Sequence, residues 1–299
     1  MLLGCTGVLC FSLTLPATDL AESCFSAVTV GVGRSVIGAA IAVLVLRRQH
    51  ERLLPPRAAL ARLLLVALNA GIGFGLLSAL ALRQVSSVHG AVLTGLIPAA
   101  TAGMAVLRAG ERPRPAYWAA LVLGLAAVIG FALVQGGGRL RAGDILLLAA
   151  IAVAGVGYAE GGALAREYGG WRVICWALIL ALPVSLPVTA VALAVSLPHQ
   201  LTAKALGGLA YVSMFSVCVG FFAWYAGMAR GGVARIGRLQ LAQPALTMLW
   251  SVLLLGESVG ALTIAAAAAV IVASAVGRNA GVDPSGQVPV ERPALAELR

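Results

Sequence analysis

The sequence predicts an all-α membrane protein with about ten transmembrane helices in two inverted five-helix repeats. Three observations carry that prediction. Of 299 residues, 61% are hydrophobic and 11% charged, with a mean hydropathy of +0.98, whereas a soluble domain carries roughly 25% charged residues. Apolar runs recur that match the ~20 residues a helix needs to cross a ~30 Å hydrocarbon core. Finally, the stretch from Ser86 to Glu111 returns from Gly232 to Glu257. Pro98, Thr101, Gly110 and Glu111 reappear 146 positions later as Pro244, Thr247, Gly256 and Glu257. One layout repeated at a fixed offset marks a duplicated unit.

Taken in order, the spans begin with Leu2–Leu20. This run lacks the positively charged start of a secretory signal, and the duplication needs it as a helix. Ala27–Leu46 follows, closed by Arg47 and Arg48. Pro55-Pro56 then marks a loop before Leu63–Leu82, because Pro and Gly clusters punctuate helices. Val88–Leu107 contains Pro98 and runs into a loop with Pro113 and Pro115. Tyr117–Gln135 ends at Gly136-Gly137-Gly138, near the midpoint, which joins the halves. The second set is Asp144–Ala165, Trp171–Ser196, Ala205–Ala229, Ala234–Leu255 and Val259–Val276. The expected units are therefore residues 1–138, residues 139–278, and a tail at 279–299. That tail has no apolar run and is expected to be disordered.

Charge orients the spans. With the N-terminus inside, sixteen of the 21 Lys and Arg residues lie on the cytoplasmic side, and Arg34 lies within a span. Only Arg83, Arg139, Arg141 and Lys204 lie outside. Basic residues favour cytoplasmic loops, so both termini are expected in the cytoplasm, in the inner (cytoplasmic) membrane. An odd number of helices per unit makes the second copy enter from the opposite side. Such inverted repeats build secondary transporters with a site near the midplane. The net charge of +10 thus reflects topology. The basic grooves with stacking aromatics that bind nucleic acid are absent from the sequence.

The residues of the repeat also carry a likeness. Pro98…Gly110-Glu111 and Pro244…Gly256-Glu257, the run Phe221-Phe222-Ala223-Trp224-Tyr225-Ala226, and Gly33-Arg34-Ser35 resemble the drug/metabolite transporter superfamily, and within it the ten-helix EamA-type exporters. The likeness covers about residues 1–278. It implies export of amino acids, their derivatives, other metabolites or drugs by alternating access, from a monomer or homodimer. One departure is that Gly75–Leu80 stands where the second copy has its aromatic run, so an aromatic cavity wall is expected to be lopsided.

Several polar residues in apolar spans are candidates for substrate binding or coupling. Glu160 is the only acid well inside a span. A mid-membrane carboxylate costs roughly 2.5–3.5 kcal/mol on insertion scales, so it faces a cavity, where it couples transport to protons, or pairs with Arg166 or Arg34. Tyr158 beside it can donate to a substrate or pack. Arg34 is the only deep base; its planar fork suits a carboxylate, or it pairs with Asp19, Glu22 or Glu160. Gln240 and Gln243 share a helix face just before Pro244, where the proline breaks the hydrogen-bond ladder and kinks the helix. In the first copy Thr94 is the counterpart of Gln240, Ile97 of Gln243 and Pro98 of Pro244. Asn69, Trp224, Tyr225 and Trp250 are weaker candidates. Glu111 and Glu257 precede a following helix and are expected to stabilise its N-terminal N–H groups.

Other classes find little support. The glycine runs Gly31-Val-Gly33 and Gly71-Ile-Gly73-Phe-Gly75 sit inside apolar helices without a preceding strand, which fails the nucleotide-loop test. Gly157-xxx-Gly161 reads as close helix packing. His50, His89 and His199 are scattered, and no nucleophile–base set forms. The five cysteines have no CxxC spacing, so neither a disulfide framework nor a zinc site is expected. No enzyme activity, metal or cofactor is predicted. The expected partners are a small-molecule substrate, protons and the lipid bilayer.

Overall fold

The computed structural model describes residues 1–109, 115–198, 200–231 and 236–279. Glu111, His199 and the 280–299 tail lie outside the described residues. Ten apolar helical elements run through them, with no strand among the described residues. They are α1 (Leu2–Glu22), α2 (Ala27–Arg48), α3 (Arg57–Leu82), α4 (Ser87–Thr94 and Ile97–Ala109) and α5 (Pro115–Gln135). Next come α6 (Ala142–Tyr168), α7 (Gly170–Val195), α8 (Ala203–Arg230), α9 (Leu239–Leu255) and α10 (Ala261–Asn279). Seven of these are long and apolar enough to cross a membrane. The chain is a helical, multi-pass membrane protein.

Local chemistry sets the boundaries. The hydroxyls of Ser26, Ser86 and Thr202 accept the N–H groups of Thr29, His89 and Ala205, capping α2, α4 and α8; each cap satisfies a donor with no partner in the first helical turn. At the end of α5, Gly138 N–H reaches Leu133 O at 2.8 Å and Gly137 N–H reaches Val134 O. This doubled closure needs a left-handed residue, and Gly137 takes φ 65°. The start of α3 at Arg57 is a correction to the expected Leu63. Pro55-Pro56 ends the loop, and the first turns of α3 already carry Arg62 inward onto α6.

Two elements depart from regular α-helix in ways the sequence did not signal. A π-helical stretch occupies Leu68–Gly73 in α3, and another occupies Tyr211–Gly220 in α8. The prolines also act differently from the expected kink. Pro98 stands second in the segment Ile97–Ala109, after a turn at Gly95-Leu96. Pro244 stands second in Gln243–Leu255, after a 3₁₀ turn at Arg238–Ala242. Each proline opens a fresh segment, where its missing N–H has no intrahelical partner to lose.

Packing follows a regular scheme. α2 lies against α7, α5 against α10, and α4 against α9. α3 packs on α6 as α8 packs on α1, and α4 touches α6 as α9 touches α1. Exchanging α1–α5 with α6–α10 leaves this list unchanged. Small residues allow the close approaches. A Cβ on Gly31 would stand 2.6 Å from the carbonyl oxygen of Gly75, and one on Gly161 would run into the ring of Tyr225.

Candidate functional site

Where α1, α3, α4, α6, α8 and α9 cross, a small cavity remains, reached by Arg34 from α2. From the first five helices come Phe11, Thr14, Leu15, Arg34, Asn69, Phe74 and Thr94; from the last five, Tyr158, Ser216, Phe221 and Gln243. Five sequence-stated candidates therefore meet here: Arg34, Asn69, Thr94, Tyr158 and Gln243.

Backbone irregularity places several of them. Asn69 sits in the π stretch of α3 and fills the room left by Gly157 of α6, where a Cβ would overlap its side chain. Ser216 sits in the π stretch of α8 and shares a 2.8 Å hydroxyl contact with Thr14 of α1. Thr94 ends the first segment of α4, and its hydroxyl donates back to Gly90 O at 2.9 Å. Gln243 begins the α-helical part of α9, just before Pro244.

Arg34 is 3% exposed, and its Nε is buried without a hydrogen-bond partner. Among the described residues no ion pair reaches it, so the expected pairing with Asp19, Glu22 or Glu160 is not made. Its guanidinium carbon stands 6.0 Å from the ring centroid of Phe74. Asn69 Nδ2 and Gln243 Oε1 are likewise buried without partners. Also in the lining, the rings of Phe11 and Tyr158 stack at 6.0 Å, and Phe221 meets Phe11 edge-on at 5.0 Å. Phe11 and Phe74 come from the first five helices, so the aromatic wall is not lopsided. α1 and the start of the second α3 segment supply what Gly75–Leu80 lacks.

The remaining candidates lie elsewhere. Glu160 accepts from Arg62 Nε at 2.8 Å rather than from Arg166 or Arg34, and it is not among the cavity-lining residues. Tyr225 is fully buried and donates to Gly157 O at 3.2 Å. Trp224 packs over Gly7 of α1. Gln240 lies in the 3₁₀ turn, buried, with Nε2 unpartnered. Trp250 donates its indole N–H to Ser12 Oγ at 3.0 Å.

One end of the bundle is laced across the two sets of helices. Gly256 ends α9 in the left-handed conformation, φ 69°, and turns Glu257 back into the bundle. The Glu257 carboxylate accepts from Ser87 N–H at 2.9 Å and Val88 N–H at 2.7 Å. It thus caps α4 rather than the following helix α10. Nearby, His89 Nε2 lies 2.6 Å from Asp144 Oδ1, and Asp144 Oδ2 accepts the Arg141 N–H. Gln84 accepts from Gly143 N–H at 3.1 Å. At the opposite end, Arg62 holds Glu160, Arg172 holds Glu51, and Trp176 Nε1 donates to Arg52 O.

Comparison with known proteins adds three findings. The model of the EamA-like transporter family matches residues 1–133 and again residues 141–277. An uncharacterized transporter, YdeK, of Bacillus subtilis (strain 168) is 46% identical over 282 residues, covering 92% of this chain and 96% of that protein. A crystal structure of another protein aligns with TM-score 0.61 at 19% identity, over 92% of this chain and 94% of that one; this likeness speaks for the fold alone.

Proposed function

We propose that this chain, which belongs to the EamA-like transporter family and is a multi-pass membrane transporter, exports a small metabolite, an amino acid or related compound, across the cytoplasmic membrane. The carrying observation is the cavity where six helices from both halves cross, lined by Arg34, Asn69, Tyr158 and Gln243. Two five-helix units, at 1–138 and 139–278, insert with opposite topology and rock about this cavity. The packing list that survives exchange of the halves supports that reading, as do the broken α4 and α9 helices that bring polar groups to the membrane interior. Both termini face the cytoplasm, as the bias of basic residues requires.

A proton-coupled cycle would use Glu160. Its 2.8 Å pairing with Arg62 favours a second reading, in which the carrier runs on the substrate's own gradient. Counterflow in proteoliposomes tests transport: preloaded carrier accelerates label uptake, whereas a channel does not. Glu160→Gln then separates the two readings. Under proton coupling it abolishes the pH dependence of exchange; under the second reading the pH profile is unchanged.

A further inference from the structure

We infer that the cavity selects a small organic anion, a monocarboxylate with an apolar or aromatic body, over a zwitterion. The inference rests on the transport reading above and, among its amino acids and related compounds, favours related monocarboxylates that lack the ammonium. Among the described residues Arg34 is the only charged side chain lining the cavity, and no acid lines it. Its Nε lacks a partner, and so does the Nδ2 of Asn69 on the neighbouring helix. Both residues line the cavity and both groups are donors; a carboxylate supplies two acceptor oxygens in the plane that a guanidinium recognises. Phe74, 6.0 Å away, offers its ring face to the guanidinium but takes none of its N–H bonds.

The aromatic part of the lining gives the rest of the ligand. Phe11, Tyr158 and Phe221 present ring surfaces at centroid spacings of 5.0–6.0 Å, which suits an apolar body. A buried cation without a counter-charge is unfavourable; one negative charge neutralises it. A zwitterion also brings an ammonium, which meets only neutral groups such as the Gln243 carbonyl and leaves the site with a net positive charge. A dianion overshoots. Charge balance therefore points to a single carboxylate.

The test uses full-length protein in detergent with phenylacetate, phenylglycine and phenylacetamide, one body carried as anion, zwitterion and neutral amide. Phenylacetate is expected to raise Tm, phenylglycine to bind about tenfold more weakly, and phenylacetamide to have no effect. Arg34→Gln abolishes the phenylacetate response, and Arg34→Lys retains part of it. Without ligand, Arg34→Met melts at or above the wild-type temperature, because an unpaired buried charge has been removed. A fall of more than about 5 °C would assign Arg34 to packing and overturn the inference. Equal protection by phenylglycine overturns it too, as does no protection by phenylacetate, propionate or lactate at about 20 mM. A protein that binds phenylacetate but shows no counterflow of any solute leaves the anion site standing and removes the transport reading. Counterflow that persists unchanged in Arg34→Gln does the reverse.

Discussion

α3 and α8 are the third helices of their halves, and they differ in the polar side chain each brings to the cavity. α3 brings Asn69 and Phe74; α8 brings Ser216 and Phe221. Yet both relax into a π stretch at mid-length, and both lie against the first helix of the other half. Backbone irregularity persists where residue identity does not. The two seams they form also differ in kind. α3 meets α6 through the Arg62–Glu160 ion pair, and α8 meets α1 through the Thr14–Ser216 hydroxyls. The halves share a framework and divide the chemistry, with Arg34 of the cavity on the first.

The largest expected effect tests the framework. Glu257→Ala removes two hydrogen bonds between an ionised acceptor and the start of α4, and should destabilise the protein by roughly 3 kcal/mol. Unfolding in detergent measures this, and Glu257→Gln should recover part of the loss. The seams come next. Arg62→Ala removes the 2.8 Å contact to the buried Glu160 carboxylate and should cost about 2 kcal/mol, less than a fully buried pair because Arg62 is partly exposed. Ser216→Ala removes one neutral hydrogen bond and should cost about 1 kcal/mol. Equal losses at the two seams would erase the distinction between them. The smallest effect concerns the join: Gly137→Ala forces a left-handed backbone on a Cβ-bearing residue, for about 1 kcal/mol, with transport intact.

Much of the framework was legible in the sequence, because membrane spans and a duplicated motif are written in apolar length and fixed spacing. The Gly-Glu ending shows where legibility stops. A glycine after the last turn and a carboxylate beside a helix start are local signals, and Glu257 does meet helical N–H groups. Which helix it meets depends on the neighbour brought alongside, and that neighbour is α4, about 170 residues away. Glu160 finds Arg62 across 98 residues for the same reason. His89 and Asp144 looked unconnected because 55 positions separate them. At the cavity, Arg34, Asn69, Thr94, Tyr158 and Gln243 stood out as polar groups in apolar runs. Phe11, Thr14 and Ser216 did not, since each reads as ordinary packing until the helices cross. The π stretches left no mark because no composition is peculiar to them.

A π turn is an α-helix that has taken in one extra residue. Deleting a residue elsewhere in α3 would rotate everything beyond it by roughly 100° about the helix axis, swinging lipid-facing leucines toward the interior. Deleting one within Leu68–Gly73 would merely straighten the coil while the flanking turns keep their azimuth. These two stretches therefore act as expansion joints, the places in the bundle where chain length can change without resetting which way the rest of the helix looks.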